Sequence, residues 1–229
     1  MTPELPTLSE PIEINGVSFQ TVISQAVIPI PEKIADGETC FKSGIRVTNH
    51  TSQDYFFFNF PSMLIPYIKL PNGQVLRAGY DTDSVIWPRN SHLVIVESGK
   101  SIDLLWNTSL IWIQFHKNII KNKSKKIRGI PESYETAPKL TFIVPFRSYL
   151  ILYYPGIEPL LPKPDIYQFR FGYYMQNNLE ALLYSKNDHY NSYYRHIIPS
   201  VFTRIWIGLV DTLFVAIQVV ENQDIHSTK

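Results

Sequence analysis

The sequence predicts an all-β protein built as an antiparallel sandwich, and three observations carry that prediction. The first is an alternation of period two. In "YQFRFGYY", Tyr167, Phe169, Phe171 and Tyr173 share one face, while Gln168, Arg170, Gly172 and Tyr174 share the other. The second is the recurrence of short runs rich in β-branched and aromatic residues. The third is the punctuation between them, where Asp36-Gly37, Pro71-Asn72-Gly73, Ser98-Gly99 and Pro155-Gly156 supply turns. Many short strands separated in this way mean a sandwich or a barrel.

In chain order the expected strands are "VSFQTVI", "GIRVTN", "YFFFNF", "HLVIV", "SIDLLW", "LIWIQF", "LTFIV" and the tyrosine-rich run just quoted. The C-terminal "RIWIGLVDTLFVAIQVVE" is dominated by Ile, Val and Phe and reads as two strands meeting near Asp211 and Thr212. The last of these is expected to run from Leu213 to Val220 and to close a sheet. Two segments break the pattern and are expected as insertions in a single domain spanning residues 1–229. Residues 117–139 are basic in their first half and then proline-containing and aperiodic. Residues 177–200 contain "NNLEALLYSKND", a short helix capped by Asn178, followed by the tyrosine-rich "HYNSYYRH".

Composition narrows the functional classes. Of 229 residues, 45% are hydrophobic and 18% charged, a balance typical of folded chains and far from that of disordered ones. The net charge of +1 lacks the basic excess that dedicated nucleic-acid binders carry. One cysteine, Cys40, allows no intramolecular disulfide and fits a reducing compartment. The N-terminus opens with acids and prolines, unlike a secretory signal. The two most apolar windows are interrupted by Pro145, Arg147, Pro155 and Gly156, and by Arg204 and Asp211, so neither offers a spanning helix. A cytoplasmic protein without a membrane span is expected. The acceptor triplets at Asn49, Asn107 and Asn122 are then chance matches.

Within this pattern, "IRVTNHTSQDYFFFNFPSMLIPYIKLPNGQVL", "ESGKSIDLLW" and "WIGLVDTLFVAIQV" resemble immunoglobulin-like and fibronectin-III-like sandwiches, including the intracellular proteinase-inhibitor type of bacteria. The shared features are a strand running into an Asn-Thr/Ser turn, a strand ending in an Asn-Gly hairpin, and a Gly-Lys-Ser turn before a strand with a buried Trp. The resemblance implies a fold. It carries over no inhibitory residue and hardly touches function.

Motifs of catalysis and metal binding are weak. "SGKS" at Ser98–Ser101 lacks the upstream glycine of a phosphate-binding loop, since Val94 stands there, and is followed by a strand pattern, so a turn is expected. The six histidines (His50, His92, His116, His189, His196, His226) are scattered and form no zinc motif, and Asp81 and Asp83 lack the rest of a calcium loop. No metal and no cofactor are expected. Cys40, in "ETCFKSGIRV", is expected to be a small core residue. Were the chain an enzyme, Cys40, His189 and His196 would be the first candidates.

Two clusters remain as candidate binding residues. Tyr190, Tyr193 and Tyr194, with Arg195, His196 and the neighbouring Tyr184, form an amphipathic aromatic group suited to a contact surface, or to sealing the core. Lys121, Lys123, Lys125 and Lys126 lie in the basic run that also holds Lys117 and Arg128. That run could meet phosphates, yet without an aromatic inside it a solvated loop is favoured. The function expected is a non-enzymatic interaction module that recognises a macromolecular partner, a protein above all, through loops or an edge strand. A carbohydrate or nucleic-acid binder using both clusters and a loop-based hydrolase-like enzyme stand as alternatives. A homo-oligomer through edge strands is compatible with the sequence.

Overall fold

The computed structural model describes residues 5–32, 37–60, 63–77, 92–113, 139–144, 148–149, 163–175 and 204–222. These residues form fifteen strands with hardly any helix. The first sheet carries β3 (Val17–Ile23), β5 (Glu38–Asn49), β10 (Ser101–Ile113), β11 (Lys139–Val144) and β12 (Ser148–Tyr149) side by side. Its other edge is β1 (Thr7–Leu8) and β2 (Ile12–Ile14), both laid along β3. In the second sheet the order is β4 (Val27–Pro29), β15 (Val215–Val220), β13 (Asp165–Met175), β7 (Leu64–Lys69) and β8 (Val75–Arg77), with β14 (Gly208–Asp211) also paired to β13. A small third sheet pairs β6 (Tyr55–Phe58) with β9 (Leu93–Val96). The architecture is an all-β sandwich.

The predicted strand Val17–Ile23 is found with those bounds. "SIDLLW" and the described part of "LIWIQF", up to Ile113, are one strand, however, because β10 runs unbroken through Asn107, Thr108 and Ser109 with a constant register against β5. The Thr108 hydroxyl, inside the sandwich, meets that of Ser43, so a turn-like triplet is used as strand. The predicted turn at Ser98–Gly99 is present: Gly99 has φ +69°, its N–H binds the Asn49 carbonyl at 2.8 Å, and Lys100 N–H binds Glu97 O at 3.0 Å. The basic insertion ends one residue early, since Lys139 already begins β11. Its other residues and all of segment 177–200, the expected helix included, lie outside the described residues.

Between the two main sheets the core is aromatic. Phe19, Phe57, Tyr173 and Trp206 pack as one cluster, with Phe19 and Trp206 ring centroids 4.7 Å apart. Among the described tryptophan side chains, Trp206 is deeply buried, while Trp106, the one expected to be buried, is only partly covered. A second group joins Phe41 to Phe169 edge-on at 6.2 Å and Phe142 to Phe169 at 5.2 Å. Burying each such ring removes enough apolar area to stabilise the fold by about 2–3 kcal/mol.

Cys40 corrects an expectation. In β5, Phe41, Ser43, Ile45, Val47 and Asn49 face inward, so Cys40 takes the opposite parity with Lys42 and is exposed. Partial desolvation of the sulfur, reinforced by neighbouring Glu38, pushes its thiol above the ordinary value and outweighs the lowering effect of Ser109. It is a surface thiol kept protonated, rather than a core residue or an activated nucleophile.

The C-terminal run forms two strands meeting near Asp211 and Thr212, as expected, with the second starting at Val215 rather than Leu213. β14 and β15 lie in line along β13, joined by a bulge. Gly172 pairs with Asp211 and Phe169 with Val215, so Thr212, Leu213 and Phe214 stand opposite only Arg170 and Phe171. The surplus residue sends Leu213 and Phe214 outward in succession and turns Thr212 into the core, where it is fully buried. Thr212 Oγ1 donates to Phe171 O at 2.9 Å and accepts from Phe171 N–H at 3.0 Å. Thr21 of the opposite sheet has its hydroxyl oxygen 2.6 Å from the same oxygen and 2.7 Å from Leu213 O, and donating its one proton to either fastens one sheet to the other. β15 is an interior strand rather than a closing one. Beyond it lies β4 in parallel, where Pro29, lacking an N–H, blunts the edge.

Candidate functional site

Tyr190, Tyr193, Tyr194, Arg195, His196, Lys121, Lys123, Lys125 and Lys126 lie outside the described residues, as do His189 and Asp81. Of the described candidates, Cys40 meets Ser109, His50 approaches the Ser18 hydroxyl at 3.1 Å, and the ring of His92 lies tilted against Phe60 with centroids 4.8 Å apart. They share no site. Among the described residues no group of three His, Cys, Asp or Glu is placed to hold a metal ion, and no helix is long and apolar enough to cross a membrane.

The triplet at Asn49 has a structural use. Its side chain is fully buried at the end of β5 and donates to Gln53 O at 2.6 Å and Val96 O at 3.0 Å, while its Oδ1 accepts from Thr51 N–H and Oγ1. With its amide hydrogens engaged and no solvent exposure, Asn49 pins a turn and is closed to a modifying enzyme.

A cluster that sequence reasoning did not find lies on the outer face of the second sheet. Antiparallel register sets the row Arg77, Tyr67, Arg170 across β8, β7 and β13, and next to it the row Val75, Lys69, Gln168, Ala216 reaching β15. Directly opposed residues have Cβ atoms about 5 Å apart, so their side chains meet. The Arg170 guanidinium carbon sits 4.5 Å from the Tyr67 ring centroid and 5.1 Å from that of Phe214, the ring that the bulge directs outward. Lys69 Nζ lies 6.0 Å from the same Phe214 ring. Two cations therefore converge on one aromatic ring, each drawn to its negative quadrupole.

The acid that balances them is held elsewhere. Tyr174 donates to Asp211 Oδ1 at 2.8 Å, and since its single proton is spent there, Tyr67 must donate to Tyr174 at 2.8 Å. Desolvation first, then these two bonds, push the Tyr174 phenol well above its ordinary range, so it stays a donor at neutral pH. Gly172 makes room for the arrangement: a Cβ there would fall 2.3 Å from the Tyr174 ring and 2.6 Å from Asp211 Oδ1. Asp211 reaches Arg170 only at 3.6 Å, outside hydrogen-bond range, and Arg170 Nε is buried without a partner. Around the cluster stand exposed Ile166 (57%), Leu209 (53%), Val75 (46%) and Leu213 (45%).

Chemically the face can do one thing well. It presents rigid aromatic and guanidinium surface with unspent donors inside an apolar surround, which is the composition of binding hot spots. Comparison with known proteins gives no family-model match, no match among curated proteins and no match among solved structures, so the reading of this face rests on its own geometry.

Proposed function

We propose that the chain is a non-enzymatic interaction module of immunoglobulin-like type, and that it recognises a protein partner through the outer face of the second sheet. The observation that carries the reading is Arg170 stacked between Tyr67 and Phe214 among exposed aliphatic side chains. The outer face of a solvated sheet is ordinarily polar, and an apolar and aromatic patch there indicates a contact surface.

The immunoglobulin-like part is supported by the wiring. β5 and β10 pair in one sheet, β7, β13 and β15 follow one another in the second, and the chain crosses repeatedly between the two. Near the start of β13 the Tyr167 hydroxyl donates to Lys163 O at 3.1 Å and accepts from Lys163 N–H at 2.8 Å, the return bond of a tyrosine corner. Two residues later Phe169 meets Phe41 of β5, where antibody domains place their inter-sheet disulfide. An aromatic contact in that position suits a chain with one cysteine.

The test is differential capture. The full chain and an Arg170→Ala/Phe214→Ala variant of equal thermal stability are immobilised and exposed to the same nuclease-treated native lysate. A protein retained by the full chain and lost from the variant is expected. Equal retention by both would remove the outer face from the contact.

A further inference from the structure

At the hairpin end of the same face lies a cleft of about 460 Å³ lined by Lys69, Pro71, Asn72, Asp165, Ile166 and Gln168. Its size falls within the range of small-molecule sites, roughly 300–1,000 Å³. We propose that this cleft binds a small organic monocarboxylate, with the carboxylate on Lys69 and Gln168 and an apolar tail over Ile166 and Pro71. This stands apart from the protein-partner reading and does not depend on it.

Charge selects the head group. Lys69, Arg170 and the neighbouring Arg77 are opposed on this face by Asp211 and Asp165, so three positive charges face two negative and a single positive charge is left. A monoanion neutralises it, whereas a phosphate dianion would overshoot and be repelled by Asp211. Donors are also in supply. Lys69 is paired cross-strand with Gln168, so ammonium and amide project side by side. Neither side chain is held by a hydrogen bond or ion pair to another described residue, and an unpaired ammonium beside an amide forms a ready acceptor site for a carboxylate.

The far lip sets the size and polarity of the remainder. Asp165 is three residues before Gln168 on β13, about 10 Å along an extended strand, and its Oδ1 accepts the Ile166 N–H at 2.7 Å. A second carboxylate reaching that lip would meet this acid. Between the two ends, Ile166 is 57% exposed and offers apolar surface to a tail. The chemistry specified is one carboxylate and a short hydrocarbon.

Backbone amide shifts of the full chain are titrated by NMR with butyrate, glutarate, propylamine and inorganic phosphate at constant ionic strength. Butyrate should give saturable shifts at Lys69, Asn72, Gly73 and Gln168, and should bind more tightly than glutarate, phosphate or propylamine. Lys69→Met should weaken butyrate at least tenfold, and Lys69→Arg should retain it. Ile166→Ser should weaken butyrate without changing the response to acetate. Shifts that never saturate, an unchanged affinity in Lys69→Met, or tighter binding of glutarate or phosphate would overturn the proposal. All three substitutions are on the surface, and an unchanged amide spectrum elsewhere shows that each variant is folded.

Discussion

The two faces of β13 are made from one run of sequence and behave as two different materials. Inward, Tyr167, Phe169, Phe171 and Tyr173 are buried between the sheets. Outward, Gln168, Arg170 and Tyr174 remain partly exposed in a network of charge and rings. The neighbours Tyr173 and Tyr174 show the difference most directly. Tyr173 accepts a hydrogen bond from the backbone N–H of Phe58 at 3.1 Å in a closed apolar site, while Tyr174 donates a hydrogen bond to a carboxylate at the surface. Two adjacent residues of one type thus take opposite roles. The inner face specifies the fold, and the outer face presents its rings and donors to whatever approaches.

That contrast can be broken from the inside first. Phe169→Ala removes a ring that touches Phe41 and Phe142 and should cost about 3–5 kcal/mol in chemical denaturation. Thr212→Val should follow, at about 1–3 kcal/mol, because Phe171 N–H loses its acceptor and the tie to Thr21 is cut. Tyr173→Phe should cost about 1–2 kcal/mol by orphaning the Phe58 N–H.

The same variant sharpens the comparison through pH. Burial raises the Tyr173 phenol in the folded state above its unfolded value near 10, so the native state holds the proton longer than the unfolded one. Stability is then complete below about pH 10 and falls as pH rises from there toward the raised folded value. Tyr173→Phe should flatten this alkaline decline in a series of melts, leaving the parts due to Tyr174 and Tyr167, whose phenols burial also raises. On the outside the effects should be smallest. Arg170→Ala is expected to change stability by under about 1 kcal/mol, since a partly exposed cation–π contact and a 3.6 Å ion pair contribute little. Its effect should appear in partner retention instead. A large destabilisation by Arg170→Ala would show that the outer face is structural after all.

How much of this was legible in the sequence follows the same division. The inner face of β13 and the whole of β3 could be read because alternation is local, as could the Ser98–Gly99 turn. Cys40 was misplaced because small residues carry no strong parity signal, and its position became plain only once Phe41 was fixed in the core. Asn107-Thr108-Ser109 concealed the continuity of β10, for polar residues of this type are turn formers until a partner strand satisfies them. The outer-face site could not be read at all. Tyr67 and Tyr174 are 107 residues apart, and only the register of β7 on β13 brings them to 2.8 Å. The one local hint was Gly172 in a strand otherwise full of large side chains, since a strand glycine marks a close approach.

The bulge between β14 and β15 has a consequence for how the chain tolerates changes in length. Elsewhere in a strand, losing one residue inverts every side chain beyond it. Here Leu213 and Phe214 both point outward, so removing Leu213 restores simple alternation and leaves Val215, Ile217 and Val219 facing the core. The expected loss is the bond from Thr21 to the Leu213 carbonyl and a shift of the Phe214 ring over Arg170. A single-codon deletion at this point should therefore keep the core alignment, with the loss of that one inter-sheet bond, and shift the outward ring, which makes the bulge a joint where the two faces can diverge separately.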